Sequence, residues 1–213
     1  MTCGGIGVAA DDGDLVDALT AALRGDEAGF STLWLALQPP LLRYLRVLVG
    51  DSAEDVASET WLQAARDLKS FRGDLSGFRV WLFRIARHRG IDDRRRSRRY
   101  IQDPYDPATQ EYLFTSPDAE REALDGMGTR WALDVISTLP PDQAEAVMLR
   151  VVAGLDVAQT AQVLGKRPGA VRVAAMRGLR RLATHPHVLA RSRARVRDPG
   201  ALPSVDSAQP EGV

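Results

Sequence analysis

Apolar residues along this chain recur at the spacing of one helix face, and that periodicity constrains the fold more than any other feature. Leu15, Ala18, Leu19 and Ala22 fall at i, i+3, i+4 and i+7, and Phe30, Leu33, Trp34 and Leu37 repeat the pattern. Pro39-Pro40 is expected to break or kink the run before Leu41, Leu42, Leu45 and Val49, and Gly50 to end it. Asp51-Ser52 opens a third helix with Ala57, Trp61, Ala64, Ala65 and Leu68 on its inner face. A loop from Ser70 to Gly77 leads to a fourth, striped by Phe78, Trp81, Leu82 and Ile85. The pattern lapses from Tyr100 to Gly128, where Pro104, Pro107, Pro117, Gly126 and Gly128 punctuate a linker. It resumes with Ala132, Val135, Ile136 and Leu139, then with Ala144, Val147, Met148 and Val151 after Pro140-Pro141, and stops at Gly154.

Composition agrees with an all-α chain. Aromatic residues make up 6% and hydrophobic residues 45%, enough for one ordinary core or two small ones. The one cysteine, Cys3, excludes an internal disulfide framework and paired-cysteine zinc sites. No stretch approaches the roughly 20 apolar residues of a membrane span. The N-terminal segment is acidic at Asp11, Asp12, Asp14 and Asp17 and lacks the basic-then-apolar order of a signal peptide, so a cytoplasmic, reducing location is expected.

A net charge of zero conceals an alternation. Residues 1–29 carry net −5, residues 66–99 net +8, residues 100–128 net −6 and residues 150–182 net +6. Two basic islands suit two contacts with one extended polyanion. Solvated arginine faces are the plainer alternative. Basic and acidic stretches in alternation can also fold back on one another, the linker or N-terminus neutralising a cationic face.

Three constellations carry chemistry. Residues 155–182, LDVAQTAQVLGKRPGAVRVAAMRGLRRL, read as a helix-turn-helix. Asp156 and Gln159 resemble a capping box, Gly165 supplies the turn, and Pro168 starts a helix with Val171, Ala175, Gly178 and Leu182 inward. Its outer face presents Arg172, Met176 and Arg177, with Lys166 and Arg167 at its start, as a major-groove reader does. Residues 78–99 combine Trp81 with a row of cations, Arg84, Arg87 and His88 among them, which suits opened nucleic acid. Trp81 taken alone reads as an ordinary core residue. The third helix gathers Asp51, Glu54, Asp55 and Glu59, with no histidine or calcium loop beside them; a protein-binding face or a plain solvated helix both fit. No catalytic motif, metal-ligand set or cofactor loop is legible.

These segments in succession resemble the extracytoplasmic-function group of bacterial RNA polymerase sigma factors. The resemblance rests on AEDVASETWLQAAR, then FRGDLSGFRVWLFRIARHRGIDDRRR, then LPPDQAEAVMLRVVAGLDVAQTAQVLGKRPGAVR. It implies two small helical domains: region 2 over residues 26–99 and region 4 over 130–183. An acidic extension with the first helix (1–25), a linker (100–129) and a flexible tail (184–213) complete the chain. It implies that Asp55, Glu59 and Trp61 dock on the β′ subunit of core RNA polymerase, with β a further contact. The Ser70–Gly77 loop, with Phe71 and Arg72, would capture a flipped base of the −10 element, and Trp81, Arg84, Arg87 and His88 would open and hold that strand. Lys166, Arg167, Arg172, Met176 and Arg177 would read the −35 element as duplex. The partners implied are core polymerase, promoter DNA in duplex and single-stranded form, and an anti-sigma factor, with no membrane insertion, cofactor or catalysis. One departure stands out: Ala174, Ala175 and Met176 occupy positions where many relatives carry larger polar or aromatic groups. The rival readings are a helix-turn-helix regulator that is no polymerase subunit, which lacks a receiver-like pattern here, and an RNA-processing enzyme, which lacks catalytic clusters.

Overall fold

The computed structural model describes residues 11–102 and 127–197. It is all-α among the described residues, with nine α-helices and no strand. The expectations placed on Cys3, on most of the linker (103–126) and on the end of the tail (198–213) lie outside the described residues.

The first four helices make one bundle. α1 (Asp12–Leu23) is capped by Asp11 and buries Leu15, Ala18, Leu19 and Ala22. α2 (Glu27–Val49) starts where the Asp26 carboxylate accepts from the Ala28 amide at 2.9 Å. It runs unbroken through Pro39 and Pro40, contrary to the expected break. Leu33 and Leu37 on one side of the prolines and Leu41, Tyr44 and Leu45 on the other enter the same core. Burial on both sides offsets the two missing amide donors. α3 (Ala53–Asp67) begins two residues later than Asp51, which lies in a short 3-10 turn. α4 (Leu75–Gln102) begins inside the expected loop, which shrinks to residues 71–74, and Asp74 caps it by accepting from the Gly77 amide at 2.7 Å. α4 also carries the chain on past Tyr100, into the segment expected to be linker.

α1 is an integral part of this bundle. Its contact with α2 is close because Gly29 has no side chain: a Cβ there would lie 2.6 Å from the Ala18 carbonyl oxygen and 2.9 Å from the Ala22 amide. Both are backbone atoms, so no rotamer change relieves the clash. Gly29→Ala is expected to lower stability by about 1–3 kcal/mol, as overpacking does, seen as a lower melting midpoint by circular dichroism.

The second unit comprises α5 (Met127–Ser137), α6 (Pro141–Val147), α7 (Val157–Leu164), α8 (Pro168–Ala183) and α9 (Pro186–Arg197). A π-turn over Met148–Val152 follows α6. Its extra residue rotates the stripe: Leu149 is fully buried and Val151, expected inside, is exposed. The Asp156–Gln159 capping box forms with both bonds, at 2.7 and 2.8 Å, and Gly165 turns the chain at φ 63°. A Cβ on Gly178 would meet Val147 at 2.8 Å, so α8 lies tight on α6. The arginine-spaced stretch after Leu182 is helical as α9, and Arg191 stacks over Trp131 at 4.7 Å from the ring centre.

The two units pack together. α5, α6 and the π-turn lie against α2, and α7 lies against α4. Leu133, Met148, Leu149 and Leu155 join the core that holds Leu41, Tyr44 and Phe83.

Candidate functional site

The helix-turn-helix places its cations as its sequence pattern demands. Arg167 is the N-cap residue of α8 and is exposed. Arg172, Met176 and Arg177 are exposed on the side opposite Val171 and Gly178, which are buried. Lys166 is half-buried and pairs with Asp142 at 2.7 Å, so it ties the turn to α6. This gives Lys166 a structural partner that its role as a simple phosphate cation does not predict.

The aromatic end of α4 is a packed cluster. Phe71 and Phe78 meet edge-on with ring centres 5.6 Å apart, and Trp81 lies 5.2 Å from Phe71 and 5.6 Å from Phe78. Phe71 is 9% exposed and packs against these neighbours. Trp81 remains half-buried with part of its surface open. The Arg72 guanidinium donates to the carbonyls of Lys69 and Phe71 at 2.8 and 2.7 Å and holds the loop in shape. Arg84 and His88 are exposed one turn apart.

Arg87 is spoken for. Its Nε donates to Glu145 Oε2 on α6 at 2.7 Å, with the two side chains 20% and 12% exposed. The Tyr44 hydroxyl donates to the same oxygen at 3.4 Å. Burial first, and then the Glu145 charge, push the Tyr44 phenol well above its ordinary pKa, while Arg87 pulls it partly back. At the other end of α4, Gln159 of α7 donates to Ser76 at 2.5 Å. Ser76, Val80, Phe83 and Arg87 recur on one side of α4, and the bonds at both ends of that stripe lead to the second unit. In this closed arrangement, Arg87 is held by protein. Of the neutralisation expected from the linker or the N-terminus, Asp12 supplies one contact, pairing with Arg79 at 2.6 Å, whereas Glu145 belongs to neither segment and most of the linker lies outside the described residues.

On α3, Asp55 and Glu59 are exposed, and Glu59 faces Arg89 at 3.7 Å. Trp61 is 6% exposed, donates its indole N–H to Gln38 at 2.6 Å and meets Phe30 edge-on. It lies in the core, on the inner face where the helical spacing puts it. Leu62 stands 66% exposed beside it and was missed by the sequence reading. The signal available was the pair Trp61-Leu62, of which only one can lie on a given face. No helix among the described residues is long and apolar enough to cross a membrane.

Two family descriptions match the two units: Sigma-70 region 2 over residues 33–100 and Sigma-70, region 4 over residues 129–182. The chain is 31% identical over 179 residues to the ECF RNA polymerase sigma factor BldN of Streptomyces coelicolor, covering 81% of this chain and 66% of BldN. It is 33% identical to ShbA of Streptomyces griseus, covering 81% of this chain and 95% of ShbA. It is also 33% identical to SigD of Mycobacterium tuberculosis, covering 80% and 83%. The fold resembles sigma factor RpoE of Bartonella quintana, solved with the anti-sigma factor NepR, at a TM-score of 0.58 and 24% identity over 76% of this chain and 96% of that one. It also resembles CnrH, solved with the cytosolic domain of CnrY, at a TM-score of 0.56 and 20% identity over 80% and 95%. The chain belongs to the extracytoplasmic-function group of RNA polymerase sigma factors, the subunits that direct promoter-specific initiation of transcription.

Proposed function

We propose that this chain is a dissociable, cytoplasmic promoter-specificity subunit that joins core polymerase through α3 and grips promoter DNA at two separated places. α8 reads the −35 element as stacked duplex through Arg172 and Arg177, with Arg167 on the backbone. α4 holds the opened −10 strand through Arg84, His88 and the open part of Trp81, and Arg87 joins them once it leaves Glu145. The sigma factor performs no chemistry itself; binding energy stabilises the melted strand. The observation that carries this reading is the pair of basic helices in two separate units, each with exposed cations of different surroundings: aromatic on α4, aliphatic on α8. The similarly folded RpoE of Bartonella quintana, solved with the anti-sigma factor NepR, supports an anti-sigma protein as a regulator of this chain too.

The test is capture of core polymerase by the purified full chain, followed by initiation assays on a promoter mapped from its own transcripts. Retention of core and promoter-dependent transcripts are expected. A chain that binds promoter DNA tightly but never core would instead be a regulator outside the polymerase.

The division between the two helices has its own test. Arg172→Ala is expected to weaken the holoenzyme on a duplex promoter by about 1–3 kcal/mol. It should spare binding to a template already open at −10 and lacking upstream DNA. Arg84→Ala with His88→Ala should do the reverse, slowing strand opening read by permanganate footprinting. Equal loss for both variants on both templates would refute the division.

A further inference from the structure

The exposed face of α8 carries an unusual set of side chains for a reader of base edges. Val173 is 41% exposed and Met176 44% exposed, on a helix whose exposed cations are Arg172, Arg177, Arg180 and Arg181. At about 100° per residue, Arg172, Met176, Val173 and Arg177 follow one another around a single face. Over residues 172–177 the two apolar groups are in the middle and a guanidinium stands on each side, with Arg180 on the same face one turn further on. Gly169 falls on the same face one turn earlier, and a Cβ there would meet nothing within 4 Å. Pro168 and Gly169 offer no side-chain donor, so the start of the helix can approach DNA closely without adding a hydrogen bond. Among bases in the major groove, only thymine presents an apolar group, its C5-methyl.

We propose that Val173 and Met176 select thymine methyl groups in the −35 element, while Arg172 and Arg177 hold guanine or phosphate beside them. This rests on the reading of α8 as the −35 helix. The specificity is set by apolar contact at the centre of the face, so it depends on a methyl group and tolerates loss of neighbouring base donors. The competing use of the same face is a protein contact. Met176 and Arg172 also line a cleft of about 530 Å³ with Val151 and Leu179.

The experiment uses holoenzyme assembled from the full chain and a duplex pool randomised at −35 ahead of a fixed downstream promoter. The pool is synthesised in parallel with thymine, with uracil in its place, and with 5-methylcytosine in place of cytosine. With thymine, selection is expected to enrich T at one or two positions. Uracil should abolish that enrichment, and 5-methylcytosine should transfer it to C. On the selected sequence, uracil should weaken binding about four-fold per methyl, which corresponds to about 0.8 kcal/mol for one group of that size. Val173→Ala and Met176→Ala should make the holoenzyme indifferent to uracil while leaving affinity for core unchanged. A −35 preference that is unaltered by uracil overturns the proposal but leaves the −35 reading intact. No sequence enrichment at −35 at all refutes the −35 reading itself. Loss of core affinity in the two alanine variants, with the thymine preference kept, assigns the face to protein.

Discussion

The double reversal Asp55→Arg with Glu59→Arg is expected to abolish capture of core polymerase, lowering affinity more than about 100-fold. Both carboxylates are exposed on α3, one turn apart, and Leu62 stands exposed beyond them as an apolar contact of the same helix. Close charge pairs across interfaces couple by about 1.5–7 kcal/mol, and reversal adds repulsion to the loss. Glu59 also sits 3.7 Å from Arg89 of α4, with both side chains well exposed. That pair contributes about 0–1 kcal/mol to folding, so the reversed chain should keep its helicity. Asp55→Arg alone gives the cleaner control, since no reversed charge is then set beside Arg89. Unchanged capture by the double variant would place the docking surface elsewhere. Trp61→Ala belongs to a different class: any loss of capture should track a lower melting midpoint, because Trp61 is a core residue held by Gln38 and Phe30.

The helices and their faces were legible because helical burial leaves a periodic trace. The capping box at Asp156, the turn at Gly165 and the inward Gly178 all follow from local chemistry and stand where that chemistry puts them. What was not legible depends on contacts between distant segments. Pro39-Pro40 looks like a break only until Leu33, Leu37, Leu41 and Leu45 are seen to share one core. The π-turn at Met148 leaves no trace in periodicity, because one extra residue in a turn moves Leu149 in and Val151 out without changing composition. Residue type alone was ambiguous at the site. Trp61 and Phe71 are aromatic residues next to charges, which suits a binding surface as well as a core margin, and in both cases the core takes them. The packing of the two units had one faint signal. Val80 and Phe83 extend the apolar stripe of α4 beyond the Phe78, Leu82 and Ile85 face, wider than one small bundle needs.

That packing leads to the second large effect. Glu145→Arg is expected to open the free chain. The Arg87–Glu145 contact joins α4 to α6 at 2.7 Å with little solvent, and Tyr44 donates to the same carboxylate. Removing one partner of a fully buried pair costs about 3–5 kcal/mol; for side chains with this residual exposure about 2–3 kcal/mol is expected. Reversal leaves Arg87 facing a second cation and Tyr44 without its acceptor, so the loss falls on the contact between the units. Gly178 and the rest of the α6–α8 packing keep their own contacts, and the helix-turn-helix should stay folded. The expected sign is a larger radius of gyration in solution scattering, at unchanged helicity. Free Arg87 should also raise the affinity of the isolated chain for single-stranded −10 DNA. Arg87→Glu combined with Glu145→Arg restores opposite charges and should close the chain again, while failing to bind the −10 strand. A Glu145→Arg chain with unaltered scattering would mean that the apolar contacts of Leu133, Met148 and Leu149 hold the units together without the ion pair.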